Sequence, residues 1–322
     1  MEESNDDSER AQLVFSREVP AGDKVVFDDS SFSQWEVFAD VDYGFYDQDD
    51  LNALARGFRS DSYAATLGIE HQLLPWLYVG AAVSRLHSDT DLTANLGGSE
   101  LDGTLYSAYF TAFYEQFYFD FLYSYGNYDN ETFRNTLTGA TALGSTGSDS
   151  ETIDINIGYV YQLTDQIRTG PTAGLNYTLG HIEGYTERGG GNANLVFGDN
   201  DFDSMIARLG WQVTATERTP IGRLTAQLTA QFAHEFRPEG GSTQVSLLNS
   251  PFTLVGAGGA QSVGGFGTTV NTPHVGQDWL ELGTALRLDL ENQWNISLDY
   301  SGQYGRNNAS AHFVGGRIGY EW

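Results

Sequence analysis

Six histidines, His71, His87, His181, His234, His274 and His312, are the side chains best suited to move protons near neutral pH. A hydrolase needs one of them beside a serine and an acid, or beside paired carboxylates. His234, in "AHEF", falls on the apolar parity of its run just beyond Phe232, and His312 has the same parity near the start of its own. Both read as boundary residues rather than as bases. His87 and His181 stand near loop ends without an obvious carboxylate and serine set. No spacing of histidine and carboxylate suggests a metal site, and the chain has no cysteine, which excludes disulfides and thiolate ligands. The acidic clusters "DQDD", "SDTD" and "GDNDFD" offer oxygen ligands for calcium, but they read first as solvated loops. Catalytic, metal and cofactor residues are therefore expected to be absent.

A second set of charges has a regular address. Arg208, Arg287 and Arg317 share the polar parity of their runs with Glu36, Asp40, Glu70, Asp120, Asp154, Glu235, Glu281 and Asp299. Alternation places such residues on one face of a strand. They would pair across strands, or coat a hydrated bore that holds an extended chain without gripping it.

The elements that carry these charges repeat from Trp35 to the end. Trp35, Val37, Ala39, Val41, Tyr43 and Phe45 alternate with polar or small residues; so do Leu77, Val79, Ala81 and Val83, and Leu280, Leu282, Leu286, Leu288 and Leu290. About twelve such runs can be counted, and the parity of one of them, 103–114, is indistinct. Short turns ("LLP", "YEQ", "LTDQ", "RTPIG", "ENQ") take turns with polar loops near 47–60, 87–102, 129–150, 186–201, 237–277 and 305–309. The longest, 237–277, holds a hairpin candidate around "FTLVGAGG".

An even number of amphipathic strands with alternating short and long connections predicts a closed, all-β, antiparallel up-and-down barrel in a membrane. Composition agrees. The longest run free of both charge and strong polarity, "LLPWLYVGAAV", is too short for a spanning helix. A soluble sandwich or barrel would carry lysine, glutamate and arginine on its polar face. Here that face is mostly Gly, Ser, Thr, Asn and Gln, and Lys24 is the single lysine of the chain. A formal charge of −27 argues against a nucleic-acid partner. Residues 1–34 stand apart: a polar, disordered start, then "AQLVFSREV", enough for two helical turns before Pro20. No secretory signal is evident in "MEESNDDSER", so an exported protein would be represented here by a mature or truncated piece.

The stretches "RSDSYAATLGIEHQLLPWLYVGAAVS", "LTAQFAHEFRP", "GQDWLELGTALRLDLENQWNISLDYSGQYG" and "HFVGGRIGYEW", in that order, resemble the translocator domain of autotransporters, the type V secretion barrels. The resemblance covers residues 35–322 and implies a non-enzymatic, monomeric, twelve-stranded barrel in the outer membrane of a Gram-negative bacterium. Its implied surroundings are outer-membrane lipid and lipopolysaccharide, with an upstream passenger that the barrel anchors and exports. Ile318, Tyr320 and Trp322 resemble the terminal signal that the barrel-assembly machinery reads, with tryptophan in place of the commoner phenylalanine. The family also implies a helix threading the lumen before the first strand; residues 1–34, the linker or lumen segment, offer only about ten helical residues where a 30 Å core asks for roughly 20. A small porin or passive channel with a short N-terminal plug is the second reading of the same barrel.

Overall fold

The structure, a computed structural model, describes residues 34–50, 57–237 and 276–322, and between the last two the strand segments 242–247, 252–256, 259–263 and 267–271. The expected helical piece within 1–34 lies outside the described residues, apart from Gln34. Twelve antiparallel strands form the barrel: β1 (Trp35–Gln48), β2 (Phe58–Leu74), β3 (Leu77–Leu92), β4 (Gly97–Tyr114), β5 (Phe117–Asn135), β6 (Thr141–Tyr159), β7 (Ile167–Ile182), β8 (Asn200–Thr219), β9 (Gly222–Glu235), β10 (Asp278–Leu290), β11 (Trp294–Tyr304) and β12 (Ala309–Glu321). Each pairs with its neighbours in sequence, and β12 pairs with β1, so the sheet closes. Closure matters because an open edge in lipid would leave backbone donors and acceptors without partners.

The walls have two chemistries. Outward, large aliphatic side chains such as Leu67, Leu209, Leu228 and Leu298 are left exposed, the last at 61%. A continuous belt of this kind has no place on a protein surrounded by water and fits hydrocarbon. Aromatic rings cluster near the short-turn rim: Tyr320 stacks on Trp322 and meets Trp294 at a tilt, and Trp35 stacks on His71. No described helix is long and apolar enough to cross a membrane.

Inward, the expectation of a bore coated by small polar groups needs correction. Phe38, Ala82, Tyr109 and Leu122 form a buried apolar cluster, and Tyr78, Phe113 and Tyr118 form another. The rings lie down against the wall because glycines directly opposite make room. Phe38 faces Gly68 and Tyr109 faces Gly80 in the ladder, and a Cβ added at either glycine would sit 2.1 or 2.2 Å from ring carbon. The same cluster resolves the parity of β4: Tyr109, Thr111 and Phe113 are buried inside, while Tyr106 and Tyr114 point out.

Two of the long loops are not loops. Residues 87–102 and 129–150 continue β3–β4 and β5–β6 as paired ladders, broken only at 93–96 and 136–140. The tip at 136–140 is a tight turn in which Thr136 Oγ1 donates to Ala140 O (2.8 Å) and Gly139 takes φ +80. Beyond the apolar belt both faces of a strand meet polar surroundings, so a ladder needs no alternation; hydroxyl and amide pairs such as Ser60–Ser88 (3.0 Å) and Asn130–Ser148 (2.8 Å) line it. The hairpin expected at "FTLVGAGG" is present, pairing Phe252–Gly256 with Gly259–Val263. Strand 242–247 joins 195–197 and 267–271 in a small sheet, linking two long connections at the same rim.

Candidate functional site

The bore is held by charge pairs, some buried and some half-exposed. Near the short-turn rim, Arg317 Nη2 of β12 donates to Glu36 Oε1 of β1 at 2.7 Å, with the guanidinium 3.8 Å from the Phe38 ring centroid. Asn295 Nδ2 of β11 reaches the same carboxylate at 3.4 Å. Glu70 is buried opposite Glu36 in the β1–β2 ladder. Arg287 bridges Asp289 (2.7 Å) and Glu321 (3.5 Å), and Arg223 meets Asp289 from β9 at 2.9 Å. Farther along, Arg208 Nε donates to Glu281 Oε2 at 2.7 Å, spanning from β8 across β9 to β10, while Trp279 Nε1 holds the second oxygen at 2.8 Å. A cavity of about 200 Å³ opens beside this pair, lined among others by Tyr118, Asp120, Asp154, Arg208, Gln212 and Glu281.

The expected lumen residues thus differ among themselves. Arg208, Arg287, Arg317 and Glu281 take part in pairs that draw neighbouring or next-but-one strands together, Arg287 through Glu321. Asp40 stands opposite Arg317 in the β1–β12 ladder. Asp299 lies where Gly315 leaves room: a Cβ there would come within 2.6 Å of Asp299 Oδ1 and 2.8 Å of Asp42 Oδ1. Glu235 is committed to the backbone at the opposite rim, accepting from Ser204 Oγ (2.6 Å) and from the amides of Met205 and Arg237 (2.9 and 2.8 Å). Sequence reasoning missed Tyr118, whose hydroxyl reaches Thr172 (3.2 Å) and Gln212 (3.4 Å) from β5. Its parity beside Asp120 was available as a signal, but an aromatic in a polar register is easily passed over.

At the seam, the terminal residues pair backbone to backbone: Trp35 N donates to Trp322 O at 3.1 Å and Trp322 N to Trp35 O at 3.0 Å. Ile318 sits between Ala39 and Ile296, and Tyr320 between Val37 and Trp294, all on the outward face. Tyr320 Oη also donates to Gln293 Oε1 at 2.9 Å. The closing strand therefore places an aliphatic and two aromatic side chains where lipid meets the short-turn rim.

The histidines have carboxylate neighbours that their own sequence surroundings do not reveal. His87 Nδ1 lies 3.3 Å from Asp102 Oδ1, His181 Nδ1 2.6 Å from Asp201 Oδ1, and His234 Nδ1 2.7 Å from Asp278 Oδ1. Each partner comes from the adjacent strand. These histidines stand past the apolar belt at the long-loop rim, beyond Val83, Leu179 and Phe232 respectively. Burial alone would lower the pKa of His87, but the bonds and charges of Asp102 and Asp89 outweigh it and hold the imidazole above its ordinary value. His181 is raised first by its hydrogen bond with Asp201. His312 instead bonds Tyr300 Oη at 2.9 Å and stacks near Phe45.

Comparison with known proteins adds family to geometry. The Autotransporter beta-domain family model matches residues 37–301. Over 195 residues, 56% of the chain, the sequence is 27% identical to Outer membrane protein A of Rickettsia rickettsii, of which it covers 9%. Over 204 residues, 58% of the chain, it is 24% identical to Lipase 1 of Photorhabdus luminescens, of which it covers 30%. The chain thus spans a minor part of these curated relatives, and their named activities do not pass to it. Among solved structures, the translocator domain of autotransporter NalP from Neisseria meningitidis superposes with a TM-score of 0.67 at 17% identity, covering 89% of this chain and 88% of that one. The beta domain of the Bordetella autotransporter BrkA gives 0.57 at 15% identity, covering 88% and 98%. At these identities the likeness is one of fold.

Proposed function

Because this chain belongs to the autotransporter beta-domain family, we propose that it anchors a passenger joined ahead of residue 1 and carries it through the outer membrane to the cell surface. The barrel itself is an outer-membrane translocator barrel. The observation that carries the proposal is that the family match, residues 37–301, falls on a closed twelve-strand barrel. Residues ahead of Trp35 join that barrel at the short-turn rim beside Trp322, so an upstream passenger has to traverse the bore to reach the long-loop rim. The wall suits that passage. Arg208, Arg287 and Arg317 are each paired with a carboxylate, and Phe38 and Tyr109 are folded down over glycines, so these side chains offer few strong contacts to a sliding chain.

In this reading Arg208, Arg287, Arg317, Glu281, Asp299, Asp40 and Glu70 keep the bore hydrated and braced, with Glu235 fixing the long-loop rim. Ile318, Tyr320 and Trp322 engage the barrel-assembly machinery. The barrel works as a monomer, with outer-membrane lipid and lipopolysaccharide around its belt. The test is to fuse a signal sequence and an epitope-tagged passenger ahead of residue 1 and express the fusion in a Gram-negative host. The epitope should be accessible to antibody on intact cells. A heat-modifiable barrel in the outer membrane whose passenger stays periplasmic would overturn the proposal, and steady conductance of that barrel in planar bilayers would favour the small channel.

A further inference from the structure

The long-loop rim holds one group of side chains that the transport reading does not use. On the outward face of β3 and β4, His87 Nε2 lies 3.3 Å from Asp89 Oδ2 and 4.0 Å from Glu100 Oε1. One ligand atom from each of these three residues lies within 4.8 Å of the other two. A tetrahedral zinc ion with bonds of about 2.1 Å sets its ligand atoms about 3.4 Å apart, so the group needs only small rotations to close on one.

Three features separate this group from an ordinary acidic surface. The first is orientation of the imidazole. Asp102 Oδ1 stands 3.3 Å from Nδ1, on the far side of the ring, where it fixes the tautomer that leaves Nε2 facing Asp89 and Glu100. A carboxylate behind a ligating histidine is the usual outer partner in zinc sites. The second is the repulsion built into the ladder. Asp89 and Glu100 are directly opposite in the β3–β4 register, a placement that destabilises a sheet unless something positive sits between them. Arg85 is turned instead toward Asp102 (3.6 Å) and Thr104 (3.0 Å). The third is support and access. The Tyr63 ring packs 4.9 Å from the imidazole centroid, whose side chain is 17% exposed, while Asp89 and Glu100 stay open to solvent. Among the described residues no other histidine has two further carboxylates so placed.

We propose that His87, Asp89 and Glu100 bind a zinc ion on the outer surface of the barrel, with Asp102 orienting the imidazole and the fourth position open to water. An imidazole in the ligand set selects zinc over calcium and magnesium, which prefer oxygen alone. The site lies beyond the lipid belt, on the side where the long connections gather, so it adds a metal centre to the exterior of the barrel and leaves the bore untouched.

The full 322-residue chain, purified without a polyhistidine tag in detergent, is titrated with zinc chloride by calorimetry, and with cobalt chloride to read the d–d bands of a four-coordinate site. One zinc per barrel is expected, with affinity at least tenfold weaker in His87→Ala and in Glu100→Gln. Asp102→Asn should weaken it about 10- to 100-fold, and His181→Ala should leave it unchanged. Each variant is first checked for heat-modifiable migration; Glu100→Gln, at an exposed position, keeps the test open if His87→Ala fails to fold. The absence of saturable zinc binding, a site that survives both His87→Ala and Glu100→Gln, or equal affinity for calcium would each overturn the proposal.

Discussion

Replacing Glu36 by glutamine keeps the side chain's shape and removes its charge, leaving Arg317 buried in the wall of the bore. The two side chains are 8% and 4% exposed, and their atoms meet at 2.7 Å. Breaking a buried pair by removing one partner costs about 3–5 kcal/mol, because the surviving charge is uncompensated. Asp40 stands opposite Arg317 in the β1–β12 ladder and supplies some replacement field, and the Phe38 ring still faces the guanidinium. The lower end of the range applies, about 3 kcal/mol, which is over a hundredfold in the unfolding equilibrium. Reversible urea unfolding in lipid vesicles, followed by tryptophan fluorescence, reads this as a lower midpoint at unchanged m value. Removing both charges, Glu36→Gln with Arg317→Met, should recover most of the loss, since the cost lies in the orphaned cation. A single variant within 1 kcal/mol of the parent would refute the reasoning, because it would mean that bulk water reaches this end of the bore and screens the pair.

Further outcomes follow from the two faces and the two rims. Leu286 is outward and mid-strand between Ala226 and Leu298, so arginine there should cost about 2–4 kcal/mol in vesicles; Arg287→Ala should cost less, and equal tolerance would argue against a spanning strand. Deleting Trp322, or changing Tyr320 and Trp322 to serine, should leave the chain periplasmic and protease-sensitive, whereas a heat-modifiable barrel at normal yield in outer membranes would remove the assembly role. A cysteine at Ser262, in the long connection, should react on intact cells with an impermeant maleimide, while one at Asn292, in the short turn between β10 and β11, should not; the reverse labelling would invert the barrel.

Alternation made the twelve strands legible because lipid and lumen impose opposite chemistries on successive residues, as at Leu286 and Arg287. The same constraint made the closing strand legible: Ile318, Tyr320 and Trp322 alternate with Arg317, Gly319 and Glu321. Where it lapses, the sequence falls silent. The ladders through 87–102 and 129–150 leave the lipid, so nothing obliges one face to be apolar and they read as loops. Side chains inside the bore were half legible. The parity of Arg317 and Glu36 was visible, but the place of Phe38 and Tyr109 depended on glycines, Gly68 and Gly80, that lie next to them only after pairing. What alternation cannot supply is register. Sliding a strand by two residues preserves every inward and outward assignment and changes every neighbour. The meetings of Arg208 with Glu281, Arg317 with Glu36, and His87 with Asp102, Asp89 and Glu100 all depend on that choice. It is made only when all twelve ladders close on one another, because the stagger around a closed barrel is a property of the whole ring.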